Sequence, residues 1–492
     1  MASDPLPSLP AEVLETHVST IFLVGDRAYK LKRPMQTPFL DYSTREARLA
    51  ACEAEVALNR RIAPDVYLGV ASILDPDGQL CDHLVVMKRM PPERRLSRLA
   101  STGRLKPSHV TAVARQIARF HSTAVRSAEI NVCGTPDHLN GLWSSTLQDL
   151  SRFAGRLFDQ RDLDSLGADS AAYVRGRHPL LAHRIDTGAI VDGHGDLLAD
   201  DIWCLDDGPR ICDCLEFDPM LRGGDVVADM AFLAMDLERI AGGDWANVVF
   251  ENYRRFTAET HPRSLEEYYI AYRALVRAKV SCMLLEQRRV ESARAAIGYL
   301  DQARRHLNAA RVCAVMVGGL PGSGKSTVAN SLGERYGWVV LRSDEMRKEM
   351  AGLSSTTPAG AAVGAGIYDQ RHTEATYVGM MNRAQQLLAM GESVILDATW
   401  ADASHRAAMS QIVHGVDARL VELRCDVDPS IAARRISQRQ PGGDASDADQ
   451  AVLEHFLATF ESWSTAGVVD CGDDSETAEA RAATLIGRPV EA

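Results

Sequence analysis

Residues 318–327 read Gly-Gly-Leu-Pro-Gly-Ser-Gly-Lys-Ser-Thr, and the stretch from Gly319 to Ser326 satisfies G-x-x-x-x-G-K-[ST]. Such a run suits the binding of phosphate. Its glycines let backbone N–H groups curl around phosphate oxygens, and the following helix adds the positive end of its dipole. The candidate binding residues are Gly319, Leu320, Pro321, Gly322, Ser323, Gly324, Lys325, Ser326 and Thr327. Lys325 is placed to reach the β- and γ-phosphates of a nucleotide, and the Ser326 hydroxyl to sit on Mg2+. The alternative is a glycine-rich turn that fits the pattern by chance. The apolar run 312–317 before it reads as a strand and 327–336 after it as a helix, which is the setting a phosphate loop needs.

Two downstream segments could complete such a site. Val394-Ile395-Leu396-Asp397-Ala398-Thr399 is an apolar strand ending in an acid, and Asp397 there can hold Mg2+ directly or through water. Leu341-Arg342-Ser343-Asp344-Glu345 puts Asp344 at a second strand tip. Asp344 either orients or deprotonates an acceptor hydroxyl, or caps the next helix. Arg434, Arg435 and Arg439 precede a Gly/Asp-rich loop, 441–449. They form either a lid that brings positive charge to a transferring phosphoryl group or a solvated basic face.

A second constellation lies upstream. His194-Gly195-Asp196-Leu197-Leu198-Ala199-Asp200-Asp201 is followed by Ile211-Cys212-Asp213-Cys214-Leu215-Glu216. An Asp in a short loop, an acid five residues on and a third on a following strand would serve phosphoryl transfer. Asp196 would accept the acceptor's proton, while Asp201 and Asp213 would hold the metal on the phosphates. Such a site needs a strand lysine paired with a helix glutamate. Tyr29-Lys30-Leu31-Lys32 puts two lysines on one strand face, Lys32 being the better fit and Lys30 the second choice. The glutamate is Glu55 or Glu53. Arg273 and Arg277 share a helix face; they either line an anionic acceptor pocket or pair with the chain's acids.

The elements that must position these groups follow from pattern. Residues 18–90 alternate apolar runs with turn signals, including a hairpin turn at Gly25-Asp26. Residues 44–62 read as a helix capped by Thr44, and 264–310 as a long helical region opened by a Ser264/Glu267 capping box. Beyond 310, strands and helices alternate, as a doubly wound parallel sheet requires. These patterns put the boundary between two domains near residue 310, giving 1–310 and 311–492.

The second half resembles the small P-loop kinases of the zeta-toxin, gluconate-kinase and polynucleotide-kinase type in its phosphate loop, Arg-Ser-Asp and Leu-Asp-Ala-Thr segments. That resemblance implies a three-layer α/β domain with a parallel sheet that uses ATP and Mg2+ on a small hydroxyl compound. It also places Arg406, after the Asp-Ala-Thr strand, near substrate or phosphate. The first half resembles the aminoglycoside phosphotransferase family, whose pattern is His-Gly-Asp-x-x-x-x-Asn, then Ile-Asp-Phe/Trp, then Gly-Asp-x-x-x-Asp-Leu-Ala. Gly224-Asp225-Val226-Val227-Ala228-Asp229-Met230-Ala231 matches the last, and the resemblance makes Asp225 and Asp229 structural. It implies a two-lobed, protein-kinase-like α+β domain. Asp201 replaces the family's Asn, Leu198 replaces a common His, and 16–21 must supply a hairpin without a glycine-rich flap. Together the resemblances imply two ATP-dependent phosphotransferase modules acting on small hydroxyl acceptors. Two alternatives stay open: only the P-loop module transfers while the other senses a ligand or nucleotide, or the P-loop module is an ATPase switch.

Composition bounds the rest. With 46% hydrophobic and 24% charged residues the chain is an ordinary globular one of two to four domains. A net charge of −12 argues against a general nucleic-acid or membrane-surface binder. No stretch approaches the roughly 20 apolar residues of a membrane span, and residues 1–15 lack a signal pattern. The ten cysteines form no Cys-x-x-Cys and read as reduced thiols, and Cys212 and Cys214 flank Asp213 on an expected strand. The expected location is the cytoplasm.

Overall fold

The structure, a computed structural model, describes residues 11–16, 18–37, 40–286, 292–355, 357, 359, 364–438, 446–472 and 475–487. The chain folds into two compact units. The first comprises Met1–Phe158, Ala182–His261 and Tyr269–Ala303; the second comprises Asp159–Leu181, Pro262–Tyr268 and Arg304–Ala492. No helix among the described residues is long and apolar enough to cross a membrane.

The first unit opens with an antiparallel sheet. Its strands are β1 (Glu12–Glu15), β2 (Ser19–Val24), β3 (Arg27–Lys32), β4 (Tyr67–Leu74) and β5 (Leu80–Lys88), in the order β1-β2-β3-β5-β4. The short β1–β2 hairpin closes with Thr16 N–H donating to Ser19 O at 2.9 Å. Gly25-Asp26 joins β2 to β3, with Val24 opposite Arg27 and Gly25 at φ 57°. Along β3, burial alternates so that Ala28, Lys30 and Lys32 share the inward face. Helix α1 (Arg45–Asn59) starts where Thr44 accepts from Ala47 N–H, and its buried face carries Cys52, Glu55, Val56 and Asn59. It stops at Asn59, short of the expected 62, where Asn59 O accepts from both Ile62 N–H at 3.1 Å and Ala63 N–H at 2.8 Å in a closing turn.

Behind this sheet, α2 (Pro107–Thr123) and α3 (Val226–Ala241) form the helical core, with every residue from Val226 to Leu237 buried. The strand β6 (Ile190–Asp192) leads into the loop that carries Asp196, and the hairpin β7 (Ile202–Leu205) to β8 (Gly208–Ile211) leads to Asp213. The expected strand through Cys212 and Cys214 does not form. It ends at Ile211, because Asp213 turns into the left-handed region at φ 66°. The long helical region is α4 (Arg263–Glu286) and α5 (Ser292–Ala310). No Ser264/Glu267 capping box forms: Ser264 lies inside α4 and donates to Gly391 O at 2.7 Å, while Glu267 meets His306 at 2.6 Å.

The second unit is built on five parallel strands: β9 (Cys313–Gly318), β10 (Val339–Arg342), β11 (Val394–Asp397), β12 (Arg419–Asp426) and β13 (Gly467–Asp470). Their order is β10-β11-β9-β12-β13. Every residue of β9 is buried, as a central parallel strand demands. Ala314 and Met316 pack into the core on one face, Val315 and Val317 into the core on the other. Helices α6 (Lys325–Tyr336) and α7 (Ser343–Met350) follow β9 and β10, and α8 (Gln370–Ala389), α9 (Ala403–Gly415) and α10 (Pro429–Ser437) complete the parts used below.

The helix Gln160–Gly176 belongs to this unit, and the residue after it explains how. The buried Arg177 donates to Leu388 O (2.5 Å), Val416 O (2.5 Å) and Asp417 O (3.1 Å). One guanidinium thus satisfies three helix-end carbonyls. Replacing Arg177 with Met removes the donor from the Val416 and Asp417 carbonyls, while Leu388 O keeps Gly391 N–H at 3.0 Å. Arg177→Met is expected to cost about 3 kcal/mol. The check is denaturant unfolding followed by the fluorescence of Trp400 and Trp463; an unchanged midpoint would refute the account.

Candidate functional site

In the first unit the sequence-selected groups converge across long separations. Lys30 Nζ donates to Glu55 Oε1 at 2.9 Å and to Asp213 Oδ1 at 2.5 Å. Lys32 Nζ donates to Glu55 Oε2 at 2.7 Å and to Glu216, which also accepts from Tyr42 Oη at 2.7 Å. Both lysines therefore hold Glu55, but Lys30 is the one that also reaches Asp213, while Lys32 points to Glu216. Glu53 is exposed on the other side of α1. Burial pulls the Lys30 ammonium down; Asp213, Glu55 and Glu216 outweigh it, and its pKa is raised. Burial pushes Asp213 up, but Lys30 brings it below its ordinary value.

The loop bearing Asp196 is held by α3. Asp229 accepts from His194 N–H (2.7 Å) and Gly195 N–H (2.9 Å), and contacts the His121 ring at 3.1 Å. Two turns on, Asp236 accepts from Ala199 N–H at 3.0 Å. Residues seven apart share a helix face, so one face pins both ends of the loop. The His194 ring meets Cys212 O at 3.0 Å, tying this loop to the next, and burial lowers its pKa. Asp225 does not hold the loop. It accepts both prongs of Arg184 at 2.8 Å and caps α3 at Val227 N–H. Burial raises Asp196, against the pull of Arg277. Asp201 is raised by burial and then by Asp213 and Asp196, so negative charge is crowded here.

In the second unit the phosphate loop has its expected strand and helix. Gly319, at φ 140°, would place a Cβ 2.5 Å from Cys425 O. Gly322, at φ 79°, would place one 2.7 Å from Ala432 O. Only glycine fits either position. Leu320, Pro321 and Ser323 complete the loop, and Lys325, Ser326 and Thr327 form the first turn of α6. Burial raises Asp397 at the end of β11, opposed by the Lys325 ammonium, the Ser326 hydroxyl and Arg342, which donates to it at 3.2 Å. Asp397 Oδ1 is buried with no hydrogen bond. Asp344 lies in the first turn of α7, whose N-cap is Arg342, so Asp344 is not the cap. Arg435 donates to Cys471 O (2.9 Å) and Gly472 O (2.7 Å) and lies beside Gly324. Arg439 and residues 441–445 lie outside the described residues. Arg406 is not free to meet substrate: buried, it donates to Trp400 O at 2.6 Å and Ser462 O at 2.8 Å.

Among the described residues no three His, Cys, Asp or Glu side chains converge as a closed metal site. Asp201 with Asp213, and Ser326 with Asp397, offer two groups each, leaving room for phosphate oxygens. Sequence reasoning missed Glu216, Tyr42 and Asp236. Only Glu216 carried a signal, as an acid three residues past Asp213.

A family model described as AAA domain matches residues 315–463. The uncharacterized protein Rv2004c of Mycobacterium tuberculosis is 37% identical over 465 residues, covering 94% of this chain and 93% of that protein. Mb2027c of Mycobacterium bovis matches with the same identity and coverage. The chain belongs to the family of these mycobacterial proteins. Among solved structures, the chain is similar to a choline/ethanolamine kinase family protein from Mesorhizobium loti (16% identity, 62% of this chain, 92% of that chain, TM-score 0.40). It is also similar to a gluconokinase from Sinorhizobium meliloti (19% identity, 37% of this chain, 94% of that chain, TM-score 0.26).

The Arg184 cluster gives a pH test. Burial raises Glu259, but His261 and Arg184, the latter at 2.6 Å, bring it down to about 2 from an ordinary 4.5. A depressed folded pKa stabilises above the unfolded value and is lost as pH falls through the folded one. The stability gap between wild type and Glu259→Gln should be full above about pH 4.5 and close towards pH 2. A gap unchanged across that window in thermal melts would contradict it.

Proposed function

We propose that the chain is an ATP- and Mg2+-dependent phosphotransferase with two modules, each transferring the γ-phosphoryl group to a hydroxyl of a small molecule. The functional division falls near residue 310, with the catalytic groups of 1–310 and of 311–492 each on their own side. The carrying observation is Lys30 joined at once to Glu55 and Asp213, with Asp196 and Asp201 facing the same loop system. That arrangement sets a lysine to receive α- and β-phosphates. It leaves Asp196 to accept the acceptor's proton as the new O–P bond forms.

The residues fit a divalent cation. Asp201 and Asp213 crowd negative charge, and Asp397 Oδ1 is a buried oxygen without a partner beside Ser326. When bound, Mg2+ would neutralise charge on the phosphates. In the P-loop module, Lys325 and the loop N–H groups hold the phosphates, Arg435 stands beside them, and Asp344 orients the acceptor. All ten cysteines are unpaired, which supports a reducing compartment such as the cytoplasm. A second reading, with transfer by the P-loop module alone, is favoured by one observation: Asp201 adds a charge where the related family carries Asn.

An ADP-release assay with product detection, over sugars, amino sugars, nucleosides and hydroxy acids, tests both. Asp196→Asn and Lys30→Met should each lower one transfer activity by roughly a hundredfold or more. Lys325→Ala should abolish a separable activity by a similar factor. Transfer that survives both first-module substitutions would leave only the P-loop module as catalyst.

A further inference from the structure

We propose that the acceptor at Asp196 is an alcohol carrying an oxyanion, carboxylate or phosphate ester, on an apolar body. The inference rests on the reading of the first unit as a phosphotransferase and assigns its substrate class. A cavity of about 180 Å³ opens beside Asp196. Much of its wall is apolar and aromatic, with Leu139, Leu142, Phe217, Tyr269, Tyr272 and Met283 among the lining residues. Its charged lining is Asp196, Asp225, Arg273, Arg277 and Lys279.

Most of this charge is accounted for, but not the two guanidinium groups. Asp225 is neutralised by Arg184, and Lys279 pairs with Asp149 at 3.3 Å. Arg273 is buried and stacked 4.4 Å over Phe232, and its one hydrogen bond to protein is from Nε to Ala228 O at 3.2 Å. Its outer N–H groups have no protein acceptor among the described residues. Arg277 shares the face one turn on and bonds Tyr299, while its buried Nε has no partner. Asp196 and Asp236 attract Arg277 without forming an ion pair. Asp236 is itself paired with Arg239 at 3.3 Å.

A buried guanidinium and a half-buried one, each with unpaired donors, are costly unless a ligand supplies acceptors. Their forked donors match carboxylate and phosphate oxygens. A cationic acceptor would meet two like charges. With its oxyanion on Arg273 and Arg277, an alcohol can present its hydroxyl to Asp196. The hydroxyl oxygen then bonds to the γ-phosphorus as the β,γ-bridging P–O bond breaks. The electron pair leaves with ADP, and the proton passes to Asp196 and on to solvent.

The test uses the full chain carrying Lys325→Ala, so that the first module is read alone. The probes are 3-phenyllactate and glycerol 3-phosphate, with 3-phenyl-1,2-propanediol, glycerol and choline as neutral and cationic counterparts. Calorimetry reads binding and ADP release reads turnover. At least one anionic probe should bind about tenfold or more tighter than its neutral counterpart. Arg277→Gln should abolish that preference, Arg277→Lys restore part of it, and Asp196→Asn preserve binding. Which of the two binds separates carboxylate from phosphate recognition. The proposal is overturned if neutral or cationic probes bind as well, if neither anion binds at millimolar concentration, or if Arg277→Gln raises KM for ATP alone. Binding of an anion with no ADP release from any probe would instead refute the phosphotransferase reading.

Discussion

Five charged side chains meet in the first unit: Lys30, Lys32, Glu55, Asp213 and Glu216. Four of them are buried or nearly so, Asp213 being about half exposed, and buried charges are tolerable only if each has a partner, since one orphaned charge costs several kcal/mol. That requirement fixes more than the charges. Lys30 and Lys32 come from one sheet strand, Glu55 from a helix packed on that sheet, and Asp213 and Glu216 from a loop 183 and 184 residues after Lys30 and Lys32. Sheet, helix and loop are therefore locked in register by the same contacts that would hold a nucleotide's phosphates. The alternation of β3 puts both lysines on the inward face. The turn periodicity of α1 buries Glu55 and leaves Glu53 exposed.

The loop that carries Asp196 shows the same economy. Asp229 and Asp236 serve it from one face of α3, itself buried along most of its length. The loop's shape thus depends on a helix that can barely shift. Asp229 lies below its ordinary pKa: burial raises it, but the His121 contact and the two backbone N–H groups of the loop outweigh that. A carboxylate so held stays ionised, and the loop stays in place. Asp196 sits in the opposite environment, raised by burial against the pull of Arg277 and Arg273. One carboxylate is committed to architecture; on the proposed function the other is the one left for proton chemistry.

What the sequence disclosed depended on how local the physics is. The phosphate loop was legible because its glycines, lysine and serine act through their own backbone. Its neighbours, an apolar strand and a helix, are also read locally. Thr44 as a cap and Gly25-Asp26 as a turn are local too. The choice between Lys30 and Lys32 was not legible, since period two gives them the same face. Only the distant position of Asp213 distinguishes them. The strand assumed around Asp213 failed because the left-handed turn there leaves no trace in apolar patterning. Ser264 and Glu267 had capping-box spacing, but tertiary partners took both side chains. Arg406 looked available for substrate, yet three carbonyls and the Trp463 ring claim it.

The two candidate sites draw on different parts of the chain, and this bears on what a sequence can reveal. In the P-loop unit the donors are backbone N–H groups, so a short motif announces the site. In the first unit the candidate groups are side chains gathered from remote segments, so the motif announces only the loop that carries Asp196. The acceptor pocket is more diffuse still. Arg273 and Arg277 lie on a helix whose pattern also suits a salt-bridged face, and spacing alone cannot separate the two. Their burial beside Asp196, with acids such as Asp225 already committed elsewhere, separates them. On the proposed function, the specificity of the site would rest on which charges the fold has left without partners.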